Sequence, residues 1–400
     1  MSNKLIEAIK SGDIKLIEEL IKNGTNVKVF DKITPLHYAS GLEIGPEIIP
    51  LLINAGARVN AIDKVFSKKK NTPLHYAFES KSAFENSKLL ISANANVNAI
   101  NKATPLHYAC ENGMEFKIIQ LLLEAKAQTD IINNNHPLNC AIIGGCENEI
   151  INALISANSP VNLPENSIPP LQLALKNKRD IDIIKSLIVA GANINSRDMN
   201  TPLHEACNTK CSSEILKLLI SLGSDVNAIN ELSPLHILIE NDIDFSVVEM
   251  ILDSGADVTL TSRRTVLHYA CMKKVPLVII QKILQNGADV NATDFNNTPL
   301  HAACQWNAPL DNIKLLLDSA SDVNATNRVK DTPLHCACRG ETIPDVIDLL
   351  VSYGADPNSR ADKTPLHIAC EYNSSIDVIE ALLKNGARVD AEDIVILISI

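Results

Sequence analysis

The chain has 400 residues, 46% hydrophobic and 21% charged, with a formal net charge of −11 at neutral pH. That is the balance of an ordinary soluble chain, and its negative sign argues against nucleic acid as the main partner. No run approaches the eighteen apolar residues of a membrane span, Met1-Ser2-Asn3-Lys4-Leu5 lacks the apolar stretch of a secretory signal, and ten cysteines without either feature point to a reducing compartment, the cytoplasm.

In chain order, residues 3 to 33 hold a first helix pair. Lys4-Leu5-Ile6-Glu7-Ala8-Ile9 gives its first helix, and the run Ile14 to Ile21 its second, ending at Gly24. The charged positions Lys4, Glu7 and Lys10 suit an N-terminal cap that keeps one face in water. From residue 34 a short element takes over. Thr34-Pro35-Leu36-His37 is followed by copies opening at Thr72, Thr104, Thr201, Ser233, Thr265, Thr298, Thr332 and Thr364. Two worn copies, His136-Pro137-Leu138-Asn139 and Pro169-Pro170-Leu171-Gln172, fill the gap. Successive starts lie 32 to 34 residues apart, apart from a first step of 38, and a fixed period of this size marks a repeat array.

The residue types explain themselves. Thr or Ser caps a helix by taking a backbone N–H that has no partner inside it. Proline fits the first helical position, where its missing N–H costs nothing. Leu points into the core, and His lies where its ring can bond backbone groups of its own turn and of the next repeat. Each unit closes on an element such as Gly56-Ala57-Arg58-Val59-Asn60-Ala61, whose glycine ends a second helix in the left-handed conformation. Asn94 and Asn158 substitute for that glycine, while Lys126 and Ala320 predict strained or differently shaped helix ends. Pro46, Pro276, Pro309 and Pro344 read as first positions of second helices, and Pro50 as a kink.

With this motif pair the chain resembles the ankyrin-repeat family over residues 3 to about 391. The resemblance implies an all-α, helix-turn-helix solenoid with β-hairpin-like finger loops, stacked into a curved array. The units are a capping repeat at 3–31 and repeats at about 32–61, 70–99, 102–131, 134–163, 167–196, 199–228, 231–260, 263–292, 296–325, 330–359 and 362–391. A single body over 1–391 is expected, followed by an apolar tail at 392–400. Its stretch Ile394 to Ile400 reads as an improvised cap or a truncated frame. The finger after Ala61 carries six extra residues and the one after Ala325 two. The worn section, 126 to 172, is expected to be less stable and to act as a hinge.

Chemistry is not expected. All ten histidines belong to the motif: His37, His75, His107, His204, His236, His268, His301, His335 and His367 at its fourth position, and His136 at its first. None is left for acid–base work. Six His–Cys pairs three residues apart, from His107/Cys110 to His367/Cys370, sit one repeat (about 10 Å) from each other, too far to converge on zinc. No phosphate-cradling glycine loop is present, and neither cofactor nor metal is expected.

Binding is expected instead. The resemblance implies that partners dock along the face made by first helices and fingers, at the position after the motif His and at the one four residues later. The first supplies Tyr38, Tyr76, Tyr108 and Tyr269, the second Trp306 and Tyr372, while Phe30, Phe66 and Phe295 sit in fingers. The finger tips carry thirteen Lys and Arg against eight Asp and Glu, which favours an acidic partner segment. Two contact regions follow: Tyr38, Phe66, Lys68, Lys69, Lys70, Tyr76 and Tyr108; and Arg263, Arg264, Tyr269, Phe295, Trp306, Arg328 and Tyr372. The function read from this is that of a monomeric, non-catalytic protein-binding scaffold. The alternatives are an adaptor presenting substrates to a separate modification enzyme, or a binder of nucleic acid or lipid head groups through the basic fingers.

Overall fold

The computed structural model describes residues 2–28, 33–63, 71–100, 103–131, 136–164, 167–197, 200–241, 244–340 and 342–389. These fall into two compact units, Met1–Asn193 and Ile194–Ile400. Among the described residues each unit holds six helix pairs.

In the first unit the leading helices are α1 (Ser2–Ser11), α3 (Pro35–Ser40), α5 (Pro73–Ala77), α7 (Pro105–Glu111), α9 (Pro137–Ile143) and α11 (Pro170–Lys176). Their following partners are α2 (Ile14–Lys22), α4 (Gly45–Asn54), α6 (Ala83–Ser92), α8 (Phe116–Glu124), α10 (Asn148–Ser156) and α12 (Ile181–Val189). The second unit leads with α13 (Pro202–Asn208), α15 (Pro234–Glu240), α17 (Val266–Met272), α19 (Pro299–Gln305), α21 (Pro333–Arg339) and α23 (Pro365–Glu371). It follows with α14 (Ser213–Ser221), α16 (Phe245–Asp253), α18 (Leu277–Gln285), α20 (Leu310–Asp318), α22 (Pro344–Ser352) and α24 (Ile376–Lys384). Among the described residues the fingers carry no strand, only isolated bridges such as Asp294 to Asn297.

Most leading helices have seven residues, far too few to be stable alone in water. Three devices hold them. The motif leucines, among them Leu36, Leu106, Leu203 and Leu300, are fully buried against neighbouring helices of their unit. The cap is the second device. The motif His Nε2 meets a carbonyl oxygen of the next finger: Asn71 from His37 at 3.1 Å, Leu232 from His204 at 3.1 Å, Asn297 from His268 at 3.0 Å and Asp331 from His301 at 3.1 Å. A carbonyl only accepts, so the proton is on Nε2 and the bare Nδ1 accepts from the cap hydroxyl, as from Thr298 at 2.9 Å. Eight imidazoles, His37, His75, His107, His204, His236, His268, His301 and His335, therefore tie their own caps to the following repeat.

The third device was not anticipated from the sequence. The Asn of the closing element straddles the next repeat through both ends of its amide. Asn291 donates from Nδ2 to the Ala320 carbonyl at 3.1 Å and accepts from the Asp322 N–H at 2.8 Å. Asn60, Asn98, Asn162, Asn195, Asn227, Asn324 and Asn358 repeat the pattern. Asp130 and Thr259 interrupt it.

Lys126 and Ala320 adopt the left-handed conformation at φ 63° and 67°, in line with Asn94 and Asn158 at 65° and 62°. The shape of the helix end is kept and the strain is real. A second left-handed row, at the turn between paired helices, holds Gly12, Gly113 and Gly145 but also Lys178, Lys210, Lys274, Asn307 and Asn373. Proline placement needs a correction. Pro344 opens α22, but Pro276 and Pro309 are caps just ahead of α18 and α20, and Pro46 is the second residue of α4. Helix α4 runs on through Pro50 to Asn54. The worn section lies wholly within the first unit, and the tail beyond residue 391 lies outside the described residues.

Candidate functional site

The position after the motif His takes two forms. In repeats two to four of the first unit it carries rings, while the worn repeats of that unit hold the buried Cys140 and Leu173. Tyr38 is half-buried with the Lys10 ammonium 4.7 Å above its centroid. Tyr76 packs edge-on against His37, ring centroids 5.2 Å apart, and donates from its hydroxyl to Asp63 Oδ2 at 2.9 Å. Tyr108 stacks on Phe78 at 5.8 Å. Burial first, then the Asp63 carboxylate, pushes the Tyr76 hydroxyl well above its ordinary range, so it stays a neutral donor. These tyrosines pack between adjacent leading helices and present one edge outward.

In the second unit the same position is filled differently. Tyr269 packs edge-on against His236 at 5.8 Å, but Ile237, Ala302, Cys336 and Ile368 are buried. The position expected to face the groove is thus buried in these four repeats. Part of the reason is a bond that spans eight residues and lies over the leading helix. Arg339 donates to Asp331 Oδ2 at 2.6 Å along α21, and Lys363 pairs with Glu371 at 3.0 Å along α23. Neither pair was foreseen; its signal is a charge just before the cap and its opposite at the end of the helix.

Three exposed aromatic residues of the second unit sit at the ends of leading helices, while a fourth, Tyr353, follows α22. At the finger end, Phe295 is 60% exposed and the Arg328 guanidinium lies 4.6 Å from its ring centroid. Phe295 and Asn296 are both left-handed, at φ 48° and 64°, in a turn closed by Asp294 and Asn297. At the other end Trp306 is 50% exposed just after α19, and Tyr372 is 52% exposed just after α23 with the Arg339 guanidinium 5.7 Å from its ring. Arg263 is exposed, whereas Arg264 is committed to the buried Asp294 at 2.6 Å and to the Met272 sulfur at 3.0 Å. Asp63, Asp294 and Asp331, each nearly fully buried, are the carboxylates that hold these side chains in place. Phe30, Phe66, Lys68, Lys69 and Lys70 lie outside the described residues.

The nine imidazoles at the fourth motif position are tied into caps, and burial lowers the pKa of His37, His75, His204, His236, His268, His301 and His335. Burial raises the thiols, to about 12 at Cys271, Cys336 and Cys338, so they are not nucleophiles at neutral pH. Cys370 is the exception to burial, at the last repeat. Among the described residues no three His, Cys, Asp or Glu side chains converge as metal ligands, and no helix is long and apolar enough to cross a membrane.

Short helix pairs, tied repeat to repeat by a cap imidazole and a straddling asparagine, define a tandem-repeat protein. The model of ankyrin repeats (three copies) matches residues 5–101, 84–165, 171–262, 235–327 and 310–393. The chain belongs to the ankyrin-repeat family, whose repeats generally mediate protein–protein interaction. Among solved structures it is similar to the crystal structure of the human ASB11 ankyrin repeat domain, at 28% identity and a TM-score of 0.47, covering 55% of this chain and 99% of that one. Among curated proteins none matches the sequence significantly.

Proposed function

We propose that this protein is a non-catalytic scaffold that binds another protein through its leading helices and fingers, in two contact regions. The first is centred on Tyr38, Tyr76 and Tyr108, with Phe66 and Lys68 to Lys70 on the adjoining finger. The second is centred on Tyr269, Phe295, Trp306 and Tyr372, with Arg263, Arg264 and Arg328. One observation carries the reading. The framework consumes its histidines and buries its leucines, yet leaves three large aromatics of one unit half-exposed or more on the finger and leading-helix side. Aromatic residues give large contact area at low entropic cost and anchor interfaces. The test is affinity capture with the wild-type chain, a Trp306→Ala/Tyr372→Ala variant, and a Lys68→Glu/Lys69→Glu/Lys70→Glu/Tyr76→Ala variant. Each should lose a distinct set of partners; identical capture by all three would refute the assignment.

A further inference from the structure

The first and last repeats are finished differently. In the first, Lys4, Glu7 and Lys10 of α1 are exposed, as a terminal repeat needs in order to meet water. The last repeat exposes apolar positions instead. Cys370 is exposed where Cys271, Cys304 and Cys338 are fully buried. Ile376 is 73% exposed where Phe245, Leu277 and Leu310 are half-buried. Val389 is 79% exposed where Val226, Val258 and Val323 are buried. In the interior the next helix pair packs over this side, as α21 does on α19 and α24 on α22. The last repeat therefore carries the surface of an interior one, with no described residue over it.

The motif imidazole says where the cover would attach. His367 is bonded to its cap, Thr364 Oγ1 to Nδ1 at 2.8 Å, but among the described residues no carbonyl meets its Nε2. The other eight fourth-position imidazoles reach a carbonyl 24 to 34 residues further on, and His75, His204, His236 and His335 do so at 28. Twenty-eight residues beyond His367 is Val395. The leucine register agrees. Leu366 follows Leu334 by 32 residues, and the same step from Leu366 arrives at Ile398. These two positions lie in the stretch Ile394 to Ile400, which has six aliphatic side chains in seven residues. A run of that composition aggregates if it is left in water. Extended, it spans about 23 Å at about 3.3 Å per residue, against about 10 Å for the seven residues of α23.

We infer that the segment 394–400 of this chain covers the last repeat, the Val395 carbonyl accepting from His367 Nε2 and the aliphatic side chains lying over Cys370 and Ile376. The inference is independent of the partner-binding reading. It rests on the uncovered positions of the last repeat and on the spacing of the histidine tie.

Cys370 supplies the readout, because the other nine cysteines are buried. A chromogenic aromatic disulfide added to the native full chain counts the thiols that react and times them. In the wild type Cys370 should react about tenfold more slowly than in Ile396→Asp/Ile398→Asp, whose segment is released. Ile376→Asp, on the other side of the same contact, should give the same acceleration, and combining the two should add nothing further. Cys370→Ser should abolish the reacting thiol in every background. A variant in which all the thiols react has unfolded, and Ile396→Ser/Ile398→Ser then replaces it. Equal rates in the wild type and the folded segment variants would overturn the inference. So would protection that grows with protein concentration alongside a dimer in sedimentation velocity, since a second copy would then be the cover.

Discussion

Repeat five, at 134–163, and repeat ten, at 296–325, fold into the same pair of helices by different means. Repeat ten has every device: Thr298 caps α19, His301 joins that cap to the Asp331 carbonyl, and Asn291 and Asn324 bridge to the repeats on either side. Repeat five has few. Its cap is His136, only 3% exposed with neither ring nitrogen hydrogen-bonded, and Asn139 replaces the imidazole, donating to the Ile168 carbonyl at 3.0 Å. Asp130 stands where the bridging asparagine belongs, and Pro160 occupies the position whose N–H that asparagine would bind. Helix α9 still spans Pro137–Ile143, as long as α19. Burial of the leucine stripe is therefore enough to make the helices, and the polar devices add strength between repeats.

The largest effect should come from removing a complete tie. His301→Ala strands the Thr298 hydroxyl and the Asp331 carbonyl in a buried site and should cost about 3 kcal/mol. Asn139→Ala, which removes the bond to the Ile168 carbonyl, should cost less, about 1 kcal/mol. Hydrogen exchange of α9 and α19 amides in the native state measures both, and equal losses would erase the contrast.

Acid should act next, and on both regions. Burial lowers the folded pKa of seven motif imidazoles and of His136 below the ordinary 6.5. The unfolded chain then binds more protons, so the stability they contribute is complete above about pH 6.5 and falls as pH drops toward the lowered values. In the motif rings protonation also removes the Nδ1 acceptor from the cap. Thermal midpoints measured between about pH 7.5 and 5 should decline steadily across that window; a flat profile would show that the rings do not titrate on unfolding.

Restoring the asparagine bridge should give less. Thr259→Asn would find the Gly287 carbonyl and the Asp289 N–H in the places where other bridges end, and should stabilise by about 1 kcal/mol. Asp130→Asn should gain less than half of that, because Pro160 has no N–H to offer. Denaturant titration separates the two outcomes. The smallest effect belongs to the strained helix ends. Lys126→Gly and Ala320→Gly each relieve a left-handed L-residue at some cost in chain entropy, for a net gain of about 0.5–1 kcal/mol.

Much of this was legible before any coordinates. The capping chemistry of Thr-Pro-Leu-His, the left-handed ends at Gly56 and its equivalents, and the repeat period all depend on residues close in sequence. The bridges did not show, because Asn291 meets Ala320 and Asp322 about one period away, and a pattern along the chain does not say which atoms stacking brings together. For the same reason the tyrosine row did not show the packing of Tyr76 against His37 and of Tyr108 against Phe78, nor did Arg339 show its pairing with Asp331.

The sequence by itself determined the repeat, its helices and the use of every histidine, since caps and left-handed turns are local and steric. The tertiary structure decided which variable residues stay available. Ala302 and Cys336 are buried at the position where Tyr76 and Tyr108 stay half-exposed, and Phe295, Trp306 and Tyr372 keep their rings in water, because exposure depends on neighbours that come from other repeats.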